Sequence, residues 1–207
     1  MRPETIEALK DPLRFGKMLW PDVEFYDKQR EIIHSVRDND ETYVPAGNQL
    51  GKDFVAAFIA LWYFLCHHPV KVLTTSVKDD HLRVLWGEID RFIRTASMPL
   101  TAEHGGPLIY NHREMRKLVG GAMEKDSYLL GCVSERGEGL SGHHAPFTLL
   151  IADEASGVDD MVYSAGQGWM KRFLAIGNPN PCTNFFRGGV EGGDLEEDEV
   201  ECAATER

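Results

Sequence analysis

Residues 43–54 read YVPAGNQLGKDF, an apolar strand pattern that runs into a glycine-containing turn and a lysine. The turn fits G-x-x-x-x-G-K-[ST] with two departures, because Ala46 stands at the first glycine and Asp53 at the final hydroxyl residue. In that motif the backbone N–H groups surround phosphate oxygens, and the helix that follows adds a favourable dipole. The stretch therefore predicts a strand, a phosphate-binding loop and a helix.

The predicted loop would contact a nucleotide through eight consecutive residues, namely Ala46, Gly47, Asn48, Gln49, Leu50, Gly51, Lys52 and Asp53. Lys52 is expected to reach the terminal phosphates and to neutralise their charge during catalysis. Asp53 is the sharper departure, since it brings a negative charge where a hydroxyl would offer magnesium a neutral oxygen. Asp53 either binds the ion itself or impairs the site, and the sequence leaves both interpretations open.

A second motif lies about 100 residues downstream, in TLLIADEASGV at 148–158. Four apolar residues of a buried strand precede two adjacent carboxylates. Beside a phosphate-binding loop, Asp153 would bind magnesium and Glu154 would orient and deprotonate the attacking water. The alternative is an acidic N-terminus of a helix, which the helix dipole would stabilise. Two such motifs, each at the end of a strand, favour the nucleotide site.

The apolar patterning predicts alternating strands and helices. Strands are expected at 41–46, 70–76, 127–133, 146–153 and 172–178, and helices at 26–39, 52–66 and 79–96. This order predicts an α/β fold with a mainly parallel central sheet flanked by helices. Residues 100–126 read as an inserted hairpin. Residues 1–187 are expected to form one domain with an N-terminal lead-in, and 188–207 an acidic tail or the start of a linker.

Composition narrows the possible classes of protein. A chain of 207 residues with 43% hydrophobic content is expected to bury one core. No apolar run is long enough to span a membrane, and the N-terminus lacks the apolar centre of a signal peptide, so a cytosolic protein is expected. The net charge of −11 argues against a simple nucleic-acid binder but leaves room for a local basic patch.

Several segments in order resemble the ATPase domain of the large terminase subunit, the motor that packages DNA into tailed-phage capsids. They lie within about residues 10–182 and read DPLRFGKMLWPDVEFYDKQREII, AGNQLGKD, ERGEGLSGHHAPFTLLIADEAS and FLAIGNPNP. The resemblance implies a P-loop NTPase fold of the RecA/ASCE kind, with AGNQLGKD as Walker A and LLIADE as Walker B. It also implies ATP and Mg²⁺ as cofactors and hydrolysis of ATP by water.

The same resemblance implies roles for four further residues. Gln29 would hydrogen-bond the adenine with Tyr26 beside it, although an exposed polar residue on an amphipathic helix fits equally well. Asn178 would sense the γ-phosphate and couple hydrolysis to movement, or serve only as a turn residue before Pro179. Arg136 would act as an arginine finger on a neighbouring subunit's nucleotide, or lie on the surface of a glycine-rich loop.

As a function, the resemblance implies translocation of double-stranded viral DNA into a capsid. The implied partners are the portal protein, the small terminase subunit and further copies of the chain in a ring, with a monomer expected in isolation. The implied location is the cytoplasm of the infected bacterium and, transiently, the procapsid. Too few residues follow GNPNP for a nuclease domain, so none is expected here. A helicase-like ATPase and a degenerate nucleotide-binding scaffold are the alternatives.

Overall fold

A computed structural model of the chain describes residues 10–47, 50–133 and 139–192. The described strands are β1 (Glu41–Pro45), β2 (Val70–Ser76), β3 (Leu108–Asn111), β4 (Glu114–Val119), β5 (Ala122–Gly131), β6 (Phe147–Asp153) and β7 (Arg172–Gly177). The described α-helices are α1 (Pro12–Leu19), α2 (Asp27–Asp38), α3 (Lys52–Cys66), α4 (Asp79–Thr95), α5 (Asp160–Gln167) and α6 (Phe185–Gly192). Short 3₁₀ turns lie at Ala102–His104 and Ala155–Gly157.

All described strands join one sheet in the order β1-β7-β6-β2-β5-β4-β3. The first five strands in that order are parallel to one another, whereas β4 and β3 extend the sheet as an antiparallel hairpin. The predicted α/β fold with a mainly parallel sheet is therefore confirmed. Strand β7 lies between β1 and β6, so both strands that carry the predicted motifs flank it. Parallel strands present their carboxyl ends at one edge, where α/β proteins bind their ligands.

Helix α3 is the centre of the larger core cluster. Its residues Val55–Phe64 are all buried, because the sheet covers one side of the helix and α1, α2 and α4 cover the others. A helix that is apolar on every face is stable only in such surroundings. Each fully buried Phe or Leu side chain contributes roughly 1.5–3 kcal/mol to folding. The packing therefore fixes the start of α3, and with it Lys52, relative to the strand ends.

The bounds of the predicted elements differ from the structure mainly in the short and antiparallel parts. The hairpin expected within 100–126 is present as β3 and β4, but β5 begins at Ala122 and not at residue 127. Helices α1, α5 and α6 were not predicted. Helix α6 continues to Gly192, within the stretch from residue 188 that was expected to be a tail or linker. None of the described helices combines the length and the apolarity that crossing a bilayer requires.

Candidate nucleotide-binding site

The loop after β1 is anchored at both of its described ends. Ala46 N–H donates a hydrogen bond of 2.9 Å to the carbonyl of Gly177, at the end of β7. Gly51 takes a left-handed conformation, with φ of 69°, directly before α3. A β-carbon on Gly51 would come within 2.9 Å of Gln29 Nε2, so this position requires glycine for its backbone and for its space. Asn48 and Gln49 lie outside the described residues.

The start of α2 braces this loop through two side chains. Tyr26 Oη donates a hydrogen bond of 2.6 Å to the carbonyl of Leu50. Gln29 is 6% exposed and its amide lies against Gly51, so the expectation of an exposed polar residue is wrong. Both residues therefore lie beside the loop, as the nucleotide reading requires. The hydrogen bond from Gln29 to adenine stays a prediction.

Lys52 and Glu154 form a buried ion pair between the first turn of α3 and the residue after β6. The Lys52 side chain is 7% exposed and that of Glu154 is 22% exposed. Glu154 has a left-handed backbone, with φ of 51°, which is unfavourable for a residue with a β-carbon by roughly 1–2 kcal/mol. Such outliers concentrate at functional sites, and this one lies where the carboxylate meets Lys52.

Asp153 is the most buried carboxylate of the site, at 1% exposed. Burial raises the pKa of Asp153 to about 7, the charge of Asp53 raises it further, and Lys52 opposes the shift. Burial is also the main cause that raises the pKa of Asp53. Asp153 Oδ1 accepts a hydrogen bond of 2.9 Å from the Glu154 backbone N–H. A site that holds three carboxylates and one lysine therefore favours a further cation.

The chemistry of these donors fits magnesium. Within 10–47, 50–133 and 139–192, no three His, Cys, Asp or Glu side chains are grouped to hold a metal ion by themselves. Magnesium needs no such group, because it binds one or two carboxylates and completes its shell with water and substrate phosphates. Asp153 and Asp53 supply the carboxylates. The buried Ser76 hydroxyl at the end of β2, which sequence reasoning missed, has no hydrogen-bond partner among the described residues.

The end of β7 lies directly against the turn that follows Glu154. A β-carbon on Gly177 would come within 2.9 Å of Ala155 N and 3.2 Å of Ser156 N. Gly177 therefore connects the phosphate-binding loop, through Ala46, with the acidic turn. Asn178 follows at the same edge of the sheet, and its carbonyl accepts a hydrogen bond of 2.7 Å from Asn180 N–H. This close turn suits Asn178 as a turn residue, while its coupling role stays a prediction.

Comparison with known proteins agrees with this geometry. No protein-family model matches the chain. A curated relative, described as a probable terminase large subunit of Enterobacteria phage P7, is 28% identical over 168 residues, which cover 77% of this chain and 33% of the relative. The chain thus spans about a third of that relative's length.

Solved structures share the fold at low identity. A mutant large terminase ATPase domain of Thermus phage P74-26 matches with a TM-score of 0.68 at 18% identity, over 89% of this chain and 77% of the other. The resemblance to large terminase ATPase domains is therefore confirmed. The large terminase of bacteriophage HK97 has a TM-score of 0.57 at 14% identity, over 86% of this chain and 37% of that one. The large terminase of a thermophilic bacteriophage in complex with ADP has a TM-score of 0.54 at 13% identity, over 76% and 39%.

Two loops of this terminase-like domain bear on the remaining predictions. Arg136 lies outside the described residues, so its assignment as a finger stays a prediction. Farther along the same loop, His143 contacts Tyr128 Oη through Nδ1 and the Gly139 carbonyl through Nε2, at 2.8 Å for the latter. Both of its ring nitrogens are therefore occupied by contacts that hold the loop, in agreement with a supporting role and not a metal ligand.

Asn184 is a site-supporting residue that sequence reasoning missed. Its amide Nδ2 donates hydrogen bonds of 2.8 Å to the Ala155 carbonyl and 2.6 Å to the Val158 carbonyl. These bonds bracket the turn directly after Glu154, and Asn184 itself precedes α6. No local pattern predicts the contact, because it joins residues far apart in the sequence.

Proposed function

We propose that the chain is the ATP-hydrolysing motor domain that drives double-stranded DNA into a phage capsid. The observation that carries the proposal is the buried Lys52–Glu154 pair beside Asp153, between the start of α3 and the end of β6. A lysine and a catalytic carboxylate at these two strand ends are the parts that hydrolysis of a bound triphosphate needs. The likeness to terminase ATPase domains supports the motor reading.

Exchange of ion-pair partners would start the reaction. Without nucleotide, Lys52 neutralises Glu154. The β- and γ-phosphate oxygens of ATP compete for Lys52 and release the Glu154 carboxylate toward the attacking water. Glu154 then orients that water and accepts its proton as oxygen bonds to the γ-phosphorus. The bond from the γ-phosphorus to the bridging oxygen breaks, and ADP leaves with that oxygen.

Asp153 and Asp53 would hold the magnesium ion that accompanies ATP. The ion, when bound, neutralises charge on the phosphate oxygens. Gln29 and Tyr26 would shape the adenine side, while the loop from Ala46 to Asp53 surrounds the phosphates. Their position around the loop supports these roles, since Tyr26 and Gln29 already contact Leu50 and Gly51.

The assembled motor would be a ring of copies on the capsid portal, with the small terminase subunit and double-stranded DNA as partners. Arg136 of one copy would reach the nucleotide of its neighbour and stabilise the charge of the transferring group. Asn178, next to Gly177 at the acidic turn, would pass the state of the γ-phosphate to the moving parts. The protein would act in the cytoplasm of the infected bacterium and transiently on the procapsid.

Phosphate release from ATP tests the proposal, with ATP binding measured in parallel. Lys52→Ala is expected to abolish both, whereas Glu154→Gln keeps ATP binding and lowers phosphate release by at least about 100-fold. Lys125→Ala, at an exposed lysine of β5, is the matched control and should behave as wild type. ATP binding with wild-type phosphate release no faster than in the two site variants would overturn the ATPase and favour a nucleotide-binding scaffold.

A further inference from the structure

The hydroxyl of Ser76 is buried at the end of β2 without a partner among the described residues. Ser76 is 1% exposed and its Oγ makes no hydrogen bond there. Two residues earlier on the same strand, Thr74 Oγ1 accepts a hydrogen bond of 2.9 Å from Trp86 Nε1. A buried hydroxyl without a partner costs free energy, so a position that keeps one calls for an explanation.

Ser76 lies on the same face of the sheet as Asp153 and next to it. The two residues are direct partners in the parallel register of β2 and β6. Side chains alternate between faces along a strand, and Val72 and Ile151 belong to the cluster around α3. Ser76 and Asp153, at even spacing from Val72 and Ile151, therefore share the face on which α3 begins with Lys52 and Asp53.

The position of Ser76 relates directly to the departure at Asp53. The usual motif carries a hydroxyl there, which offers magnesium a neutral oxygen. This chain has a carboxylate instead, and Asp53 and Asp153 interact closely enough for the charge of Asp53 to raise the pKa of Asp153. A neutral oxygen on the neighbouring strand would complete the surroundings of the ion without adding a third negative charge.

We propose that Ser76 is a positioning residue of the magnesium site. Its Oγ accepts a hydrogen bond from a water molecule that the ion carries beside Asp153, and so supplies the neutral oxygen that Asp53 does not. Groups that orient the waters and ligands around a metal in this way contribute strongly to its affinity. The inference rests on the proposed nucleotide site.

Calorimetric titration of ADP with and without Mg²⁺, in wild type and Ser76→Ala, tests the inference. The variant is expected to weaken ADP binding about tenfold in Mg²⁺ and by less than about twofold in EDTA. Its melting temperature without ligand should equal or exceed that of wild type, because the change removes an unpaired buried hydroxyl. A hydroxyl that serves only packing would leave the magnesium dependence unchanged.

Thr75→Val is the matched control. Thr75 is also 1% exposed with an unpaired Oγ1, but it alternates to the opposite face, where Leu73 belongs to the second core cluster. The control should retain wild-type ADP binding in Mg²⁺. Equal magnesium dependence in wild type and Ser76→Ala, or an equal loss in Thr75→Val, would overturn the inference. Wild-type protein that binds no ADP in either condition would instead contradict the proposed function.

Discussion

Asp53 places a second carboxylate where the phosphate-binding loop meets the magnesium position. Burial is the main cause that raises the pKa of both Asp53 and Asp153, and each carboxylate disfavours ionisation of the other. Lys52 opposes both shifts, but it is paired with Glu154. The site therefore has an excess of negative charge, which a cation offsets and a triphosphate increases.

Replacing Asp53 by threonine should strengthen nucleotide binding. Removal of one negative charge about 5 Å from the phosphates relieves a repulsion of roughly 1 kcal/mol, or about fivefold in the dissociation constant of ATP. The gain should be larger at low Mg²⁺ concentration. Titration of ATP into wild type and Asp53→Thr measures it, with Asp80→Thr at an exposed aspartate of α4 as the control. Equal affinities in wild type and Asp53→Thr would contradict the repulsion.

Sequence motifs located the reacting residues but not their supports. Lys52, Asp153 and Glu154 follow local patterns of strand, turn and helix, and the structure brings them together. Ser76 gives no such signal, because its importance comes from the register of β2 against β6. Register between distant strands depends on how the whole sheet packs, and a single strand's pattern does not specify it.

Helix α6 is tied to the acidic turn by Asn184. Asn184→Ala removes two hydrogen bonds to carbonyls of that turn, and it should lower the free energy of unfolding by about 1–2 kcal/mol. Because the turn positions Glu154, kcat for ATP should fall several-fold while KM changes little. Urea unfolding and steady-state kinetics measure the two effects, with Asn180→Ala at an exposed loop asparagine as the control. Lost stability with unchanged kcat would limit Asn184 to a structural role.

The hairpin is fixed to α3 by a lysine that titrates in an accessible range. Lys117 Nζ, on β4, donates a hydrogen bond of 2.6 Å to the His67 carbonyl after the end of α3. Burial lowers the pKa of Lys117 to about 8, from the usual 10.5. Between these values the unfolded chain binds the proton and the folded chain does not. Stability contributed by this group therefore rises with pH through that window.

Lys117→Met should remove this dependence on pH. From about pH 7 to about pH 9.5, wild type should gain about 2 kcal/mol of unfolding free energy relative to the variant. Burial raises the pKa of the neighbouring Cys66 thiol to about 12, so that thiol stays protonated throughout. Urea unfolding at both pH values measures the difference, and Lys125→Met is the control. Parallel changes in wild type and Lys117→Met would contradict the lowered pKa.

Long elements were predictable and short ones were not. Helix α3 begins and ends where the sequence predicted, because a glycine and a lysine precede an uninterrupted apolar segment. Helices α1, α5 and α6 span eight residues each, too few for a clear periodicity. The early start of β5 follows from its antiparallel pairing with β4, which the sequence of β5 alone does not indicate.

Assembly into a ring predicts that copies of the chain complete one another's active sites. Arg136→Ala keeps the phosphate-binding loop, and Lys52→Ala keeps the arginine. Each variant alone should be at least about 100-fold slower than wild type, whereas a mixture should recover part of the activity. Phosphate release at increasing protein concentration measures this complementation. A mixture no faster than its separate components, under conditions where wild type assembles and is active, would contradict a finger in trans.

A crystal structure of the protein with Mg²⁺ and a non-hydrolysable ATP analogue tests the central claim most directly. We expect the phosphates within the loop from Ala46 to Asp53, with Lys52 moved from Glu154 to the phosphate oxygens. The magnesium ion should lie beside Asp153, and Glu154 should face a water near the γ-phosphate. An analogue bound elsewhere, or bound phosphates with Lys52 still paired to Glu154, would contradict the claim.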